Sequence, residues 1–415
     1  MTQTTSLTRN PEFVKLWVGQ TISVFGSEIT NLALPLTAVL ILQATPGQMG
    51  VLGAMGMLPF LLVGLFAGVW ADRVRRRPIL MAADFGRFLL LGSIPVALLA
   101  GILTIEYLYV VTFLIGVLTV FFDVSYQAFL PALVGREHLV EGNSKLEISS
   151  SAAQIVGPGI AGALIQALTA PVAIIFDAVS FLFSAISLRL IRDVEEEIHK
   201  DERPANIWRE IREGLGVIFG NRLLWSIAGC TGTGNLFNSI WNAIFVLYLT
   251  RDLNMPPAIL GLIFAAGAPG ALLGALFASR VAKRVGLGRT IVGSALLIQV
   301  MCLPVLFSGN LAIVVALLII AGLGRGFGNV VYNVNQVSLR QAITPNRLLG
   351  RMNASMRFLV WGTIPIGSLI GGALGEAIGL RPTIFVGVIG GFVSVAWVFF
   401  SPVRKLQDQP AAVEE

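Results

Sequence analysis

Twelve apolar runs, most of them about 20 residues long, follow one another along this chain with short polar connections between them. A run of that length crosses the hydrocarbon core of a bilayer as a helix. The segments are 13–41, 48–70, 78–102, 107–130, 146–168, 171–191, 222–249, 257–279, 289–308, 311–336, 352–377 and 382–402. Unpaired backbone is not tolerated in lipid, and the runs are too long for barrel strands, so an all-α membrane protein is expected. Composition agrees: 55% of residues are hydrophobic and 13% charged, about half the charge of a soluble domain. Met1 to Glu12 is polar and lacks the apolar core of a cleavable signal, so segment 1 is expected to stay in the membrane.

Lysine and arginine sort the connections into two classes. Arg73, Arg75, Arg76 and Arg77 follow segment 2, and Arg280, Lys283, Arg284 and Arg289 follow segment 8. The long connection 192–221 also holds Arg192, Lys200, Arg203, Arg209 and Arg212, and the tail Arg404 and Lys405, whereas the alternate connections hold only Arg251 and Arg381. The positive-inside rule then places both termini and the middle connection in the cytoplasm. Within that connection, Ile207, Trp208, Ile211, Leu215 and Ile218 recur at helical spacing. They predict an amphipathic helix over 206–219 lying on the inner membrane face, with 193–202 as an acidic tether. The domain division expected is 1–191, the linker 192–221, and 222–415. The net charge of +6 does not imply nucleic acid, because the basic residues are sorted by loop rather than gathered on a face.

Four segments carry polar stripes. Segment 1 has Gln20, Ser23, Ser27, Glu28 and Asn31, and segment 4 has Thr119, Asp123, Tyr126 and Gln127. Segment 7 has Thr231, Asn235, Asn238 and Asn242, and segment 10 has Arg325, Asn329, Tyr332, Asn333 and Gln336. Spacings of three and four put each set on one helix face. A charge at membrane depth is expensive unless it faces water or a partner, so helices 1, 4, 7 and 10 are expected to line one central cavity. Two six-helix halves around such a cavity are a common transporter plan.

Glu28 falls about 22 Å along its helix, near mid-bilayer. A carboxylate there is the first choice for proton coupling, with Asp123 the second. It equally suits attraction of a cationic substrate or a structural hydrogen-bonding role. Arg325 needs a buried acid or an anionic substrate group, and Asp123 or Glu28 is the acid expected. Trp241 and Phe237 suit aromatic stacking or plain apolar lining. Asp84 and Arg87, three apart near the inner end of segment 3, suit a pair on one face. Asp177, Arg357 and Glu376 are expected toward helix ends, in reach of water.

Cys230 and Cys302 fall in apolar segments, expected in opposite halves, and neither matches a metal motif or a disulfide framework. No cofactor, metal ligand or catalytic residue is expected. Gly157-Pro158-Gly159-Ile160-Ala161-Gly162 matches a dinucleotide fingerprint by letters only, inside an apolar span with no strand before it. No phosphate-binding loop supplies ATP as an energy source, so transport is expected to run on an ion gradient or downhill.

Gly68, Ala71, Asp72, Arg73, Arg76 and Arg77 resemble the loop motif of the major facilitator superfamily, with Arg75 where a glycine is usual. The second basic turn, Gly274 through Arg280 and Arg284, repeats the pattern. Asn10-Pro11-Glu12-Phe13, Trp17, Gly19-Gln20, Gly26, Phe176-Asp177 and Pro365-Ile366-Gly367 narrow the resemblance to the macrolide-efflux and enterobactin-exporter branch. It covers nearly the whole chain. In the superfamily, the residues matching Asp72, Arg73 and Arg76 act in a cytoplasmic gate. We group Gly68, Arg77, Asp84, Arg87, Arg280 and Arg284 with them. Gly157, Pro158 and Gly162 resemble part of the antiporter motif of exporters, with Ala153 near where an earlier glycine belongs. The resemblance implies a twelve-helix exporter of a lipophilic or amphipathic small molecule in exchange for protons, a monomer in a bacterial inner membrane. A siderophore, metabolite or lipid exporter, or a ligand-binding membrane protein that moves nothing, stays open.

Overall fold

The computed structural model describes residues 7–64, 74–192, 207–307, 309–408 and 410, and the described part is helical throughout. Ten of its helical stretches are long and apolar enough to cross a membrane, among them Pro11–Ile41, Ile105–Val134 and Leu311–Ala342. Many large apolar side chains also point outward: Leu99 is 89% exposed and Val96 64%. A water-soluble surface does not carry so many exposed Leu, Ile and Phe, whereas a lipid-facing one does.

The chain divides into two compact units. The first comprises residues 1–44, 55–205 and 256–261, and the second residues 45–54, 206–255 and 262–415. In the first unit, α1 (Pro11–Leu36) packs along α6 (Ala170–Leu190) and α5 (Leu139–Leu168). In turn α6 packs on α3 (Arg76–Leu99), and α3 on α4 (Ile105–Val134). Small residues allow the closest of these approaches. A Cβ on Gly19 would sit 3.0 Å from Cβ of Ser187, and one on Gly26 would sit 2.6 Å from Oδ1 of Asp177. Serine and glycine stripes of this kind let helix backbones come together where lipid supplies no hydrophobic drive. The start of α1 is capped by Asn10, whose Oδ1 accepts from the amides of Glu12 at 3.0 Å and Phe13 at 3.3 Å. Past Pro35 the helix widens into a π turn over Thr37–Ile41, because proline removes a rung of the hydrogen-bond ladder. The shorter helix α2 (Pro46–Leu62) runs up to the residues that are not described.

In the second unit, α8 (Arg222–Arg251) is the central element. It packs on α14 (Thr363–Ile378) and α15 (Leu380–Phe399). Alongside it, α12 (Leu311–Ala342) packs on α10 (Gly267–Val285) and α11 (Leu287–Val300). Segments 8 and 11 of the sequence each divide in two. The helix α9 (Pro257–Ala265) gives way to α10 at Ala266, and α13 (Leu349–Trp361) to α14 at Gly362.

The expected amphipathic helix exists as α7 (Ile207–Gly220), and its C-terminal half meets protein. Ile218 is fully buried in a cluster with Leu224, Met352, Met356 and Val360. Gly214 lies directly against the Arg351 carbonyl, and Glu213 pairs with Arg351. This half of the helix is docked on α13 and the start of α8. The acidic tether 193–202 lies outside the described residues.

Candidate functional site

In the second unit a cavity of about 340 Å³ opens between α8, α11 and α12. Its wall includes Asn235, Asn238, Trp241 and Asn242 from α8, and Arg325, Asn329, Tyr332 and Asn333 from α12. Every residue of those two stripes that the sequence singled out thus reaches one space. The reason is local. Steps of three and four on two straight helices each make one face, and the faces meet wherever the helices pack.

Arg325 organises this wall. Its Nη2 donates to Oδ1 of Asn238 at 2.8 Å, and its guanidinium lies over the Trp241 ring, 4.8 Å from the centroid. Within the second unit its neighbours are thus a neutral amide and an aromatic face. A guanidinium gains about 0.5–2 kcal/mol from such a ring, depending on its exposure. Trp241 is 2% exposed, packed edge-on to Phe245 at 5.0 Å. It carries Arg325 and has no open face on which a ligand can stack, which corrects the stacking role. Phe237 does not line the cavity but packs on Gly390. Lower on the wall, the hydroxyls of Thr231 and Tyr332 lie 2.8 Å apart, and Gln336 donates to Asn333 at 2.9 Å.

Two further wall residues escaped the sequence reading. Gln299 falls five residues past Ser294, off the spacing of three or four that marks a stripe, and Cys302 also lines the cavity. Cys230 and Cys302 are not in opposite halves: both line this cavity, as free thiols.

The first unit holds Glu28 and a separate buried charge cluster. Glu28 on α1 is half-buried, hydrogen-bonded to Asn31, and packed directly against Gly157 of α5. A Cβ on Gly157 would stand 2.6 Å from Cβ of Glu28, so only glycine admits that side chain. Gly162, one turn on, is met by the Pro257 carbonyl and by Cα of Gly261 at 3.0 Å. The residues of the antiporter-like motif are thus those that let neighbouring elements close on α5, with Pro158 between them. Gln20 donates to Ser184 at 3.2 Å, and Ser27 and Asn31 flank Glu28 on the same helix.

Asp84 and Arg87 form the expected pair, and both are buried. Arg87 also lies between two rings, 4.4 Å from the Phe122 centroid and 4.2 Å from that of Phe181. Asp177 belongs to this cluster too. It is 1% exposed and accepts from Ser180 Oγ at 3.1 Å, and Arg87 feels its charge along with that of Asp84 and Asp123. The expectation that Asp177 lies toward a helix end, near water, is wrong. The packing of Gly26 against α6 buries it. A signal was available: Asp177, Ser180, Ser184 and Ser187 recur at steps of three and four and face Gly19 and Gly26 of α1. Asp123 and Gln127 on α4 are exposed.

Of the gate set, Gly68, Asp72 and Arg73 lie outside the described residues. Arg77 donates from Nε to the Leu188 carbonyl at 3.0 Å and from Nη2 to that of Arg189 at 2.6 Å, closing the C-terminal end of α6. Arg76 begins α3. Arg280 donates to the carbonyl of Leu276, one turn earlier in α10, at 3.1 Å, and Arg284 is exposed near the same helix end.

Apolar outer surfaces around buried charge, with a polar cavity inside a helix bundle, define a multi-pass membrane transporter. The chain belongs to the transmembrane secretion effector family of the major facilitator superfamily, whose model matches residues 2–414. It is therefore a transporter and not an enzyme. It is 28% identical over 398 residues to the multidrug efflux pump Tap of Mycolicibacterium fortuitum, covering 91% of this chain and 92% of that protein. Macrolide efflux protein A of Streptococcus pyogenes is 25% identical over 280 residues, 64% of this chain and 65% of that protein. The crystal structure of a bacterial homologue of the iron transporter ferroportin superposes with a TM-score of 0.77 at 17% identity, covering 95% of this chain and 99% of that one, a likeness of fold alone.

Proposed function

We propose that this chain exports a lipophilic or amphipathic small molecule from bacterial cells in exchange for protons, with Glu28 as the proton-coupling residue. The observation that carries the reading is the seat of Glu28 on Gly157: an acid at mid-helix touches the motif whose likeness points to antiport. Two efflux pumps among the relatives support export of a drug-like molecule.

In this reading twelve spans form two six-helix halves, residues 1–191 and 222–415, joined by the linker 192–221. The protein is a monomer in the inner membrane with both termini in the cytoplasm. The substrate enters from the cytoplasm or inner leaflet with Glu28 deprotonated. The halves rock and the basic turns open or close the inner gate, with Asp72, Arg73 and Arg76 in the first turn and Arg280 and Arg284 in the second. A proton from outside then reaches Glu28 and favours release. Asp123, exposed on α4, is the second candidate for that proton.

Accumulation of a labelled macrolide in cells making the protein tests this, with and without a protonophore, for the natural chain and Glu28→Gln. Low accumulation that the protonophore raises, and that Glu28→Gln lacks, is the expected result. Accumulation equal to that of empty cells for the natural chain removes macrolide export.

A further inference from the structure

We propose that the cavity of the second unit is an organic-anion site, in which Arg325 binds the acidic group of an amphipathic aromatic ligand. The proposal rests on the reading of the chain as a small-molecule exporter and names the substrate class of that site.

Charge carries the first step. Arg325 is the only Lys, Arg, Asp or Glu among the described residues lining the cavity. A lipophilic cation placed there meets a permanent positive charge with no acid among the described lining residues of this unit to offset it. An anion meets the opposite field. The cavity thus selects by charge sign before any shape is considered.

Geometry carries the second step. The guanidinium is held in place from one side by Asn238 and from below by Trp241, which is itself immobilised by burial. One of its five N–H donors goes to Asn238. A fixed fork matches a carboxylate, sulfonate or phosphate oxygen pair, and pre-organisation lowers the entropy lost on binding. A charge this deep in an apolar helix is costly to keep, and ligand binding is the use that repays it.

The far end of the wall carries the third step. Gln336 is 4% exposed, its Nε2 is committed to Asn333, and its Oε1 has no partner. A buried acceptor without a donor is a standing cost that a ligand O–H or N–H removes. Arg325 and Gln336 are eleven residues apart on one helix, about 16 Å at 1.5 Å per residue. Between them α12 presents Asn329, Tyr332 and Asn333, and the cavity is also lined by the rings of Phe245 and Phe264, edge-on at 6.0 Å. The matching ligand has an acidic head, an aromatic body and a hydrogen-bond donor at its tail. A volume of about 340 Å³ lies at the small end of ligand pockets, roughly 300–1,000 Å³, and suits a fused-ring acid better than a whole macrolide.

The test is equilibrium dialysis of the purified full chain in nanodiscs of neutral lipid, with three labelled probes sharing one ring system. They are 1-naphthylacetate, its methyl ester and 1-naphthylethylammonium. The carboxylate is expected to bind at least tenfold more tightly than either of the others. Arg325→Gln should weaken carboxylate binding at least tenfold and leave the ester within twofold, with Arg325→Lys in between. Asn238→Ala, which frees the guanidinium to wander, should weaken the carboxylate by a smaller factor. Equal or tighter binding of the ammonium, no binding of the carboxylate, or an Arg325→Gln variant that keeps carboxylate binding overturns the proposal. If Arg325→Gln does not fold, the Lys variant and the probe series decide it. Glu28-dependent efflux is scored separately. Anion-selective binding without efflux removes the exporter reading alone, and efflux without anion preference removes this inference alone.

Discussion

Replacing Arg87 by methionine should be among the most damaging single substitutions in the first unit. Met keeps the bulk and apolar stem but strands Asp84, which is fully buried, and leaves Asp177 at 1% exposure without its nearby cation. Removing one partner of a buried ion pair costs about 3–5 kcal/mol. The guanidinium also leaves the faces of Phe122 and Phe181, at about 0.5–2 kcal/mol each. A ceiling exists, because a stranded carboxylate can escape by taking up a proton. From an ordinary value near 4, doing so at pH 7 costs roughly 4 kcal/mol at about 1.4 kcal/mol per unit. The expected loss near neutral pH is therefore about 4 kcal/mol, or roughly 8 °C in Tm at about 2 °C per kcal/mol. The sign with pH follows. In the variant the folded state holds a proton that the unfolded state has released above pH 4, so its stability falls as pH rises. The gap to the natural chain should thus narrow by more than half between pH 7.5 and pH 5. Thermal unfolding of purified protein, followed by size-exclusion chromatography, measures both. Adding Asp84→Asn to Arg87→Met should recover a large part of the loss at pH 7.5 and little at pH 5. A loss under about 1 kcal/mol, or a gap that ignores pH, refutes the idea that these charges hold one another in place.

Gly157→Ala brings a Cβ to within 2.6 Å of Glu28 Cβ, and the two backbones must separate; overpacking of this kind costs about 1–3 kcal/mol. Its Tm should fall, and adding Glu28→Gly should restore part of it, since no other change removes the opposing carbon. Arg77→Ala removes two hydrogen bonds to the end of α6 and should lower Tm by a few degrees, about 1–2 kcal/mol, in proportion to any loss of efflux. Lost efflux at unchanged Tm would instead assign Arg77 to the gate rather than to the helix end. For the linker, Ile218→Ala empties a fully buried site and should cost about 2–5 kcal/mol. Arg351→Ala breaks a pair that is 41% and 33% exposed and should cost under about 1 kcal/mol. Limited proteolysis of the linker should therefore speed up in the first variant and barely change in the second.

What the sequence made legible is what a single helix determines by itself. The α8 and α12 stripes were visible because spacing of three and four fixes a face without reference to any neighbour, and the cavity lies where those faces meet. The Asp84–Arg87 pair was visible for the same reason, three residues apart on one helix. What stayed hidden depends on which helix lies against which, and at what rotation. Asp177 sits eight residues into a 21-residue helix, which says nothing of depth; its burial comes from Gly26 on a different helix. Arg325 needed a partner, and sequence logic offered the nearest acids, because charge is countable and ring placement is not. Asn238 and Trp241 stand three residues apart on α8, so the pair that receives Arg325 is itself a helical-spacing signal. For the linker helix, an apolar stripe fits a membrane surface or a groove equally well, and periodicity does not show that Ile218 packs beside Met352. In a chain whose outer surface is apolar by necessity, buried polar contacts between helices carry the specificity that hydrophobic patterning cannot, and those contacts are the part that periodicity leaves unwritten.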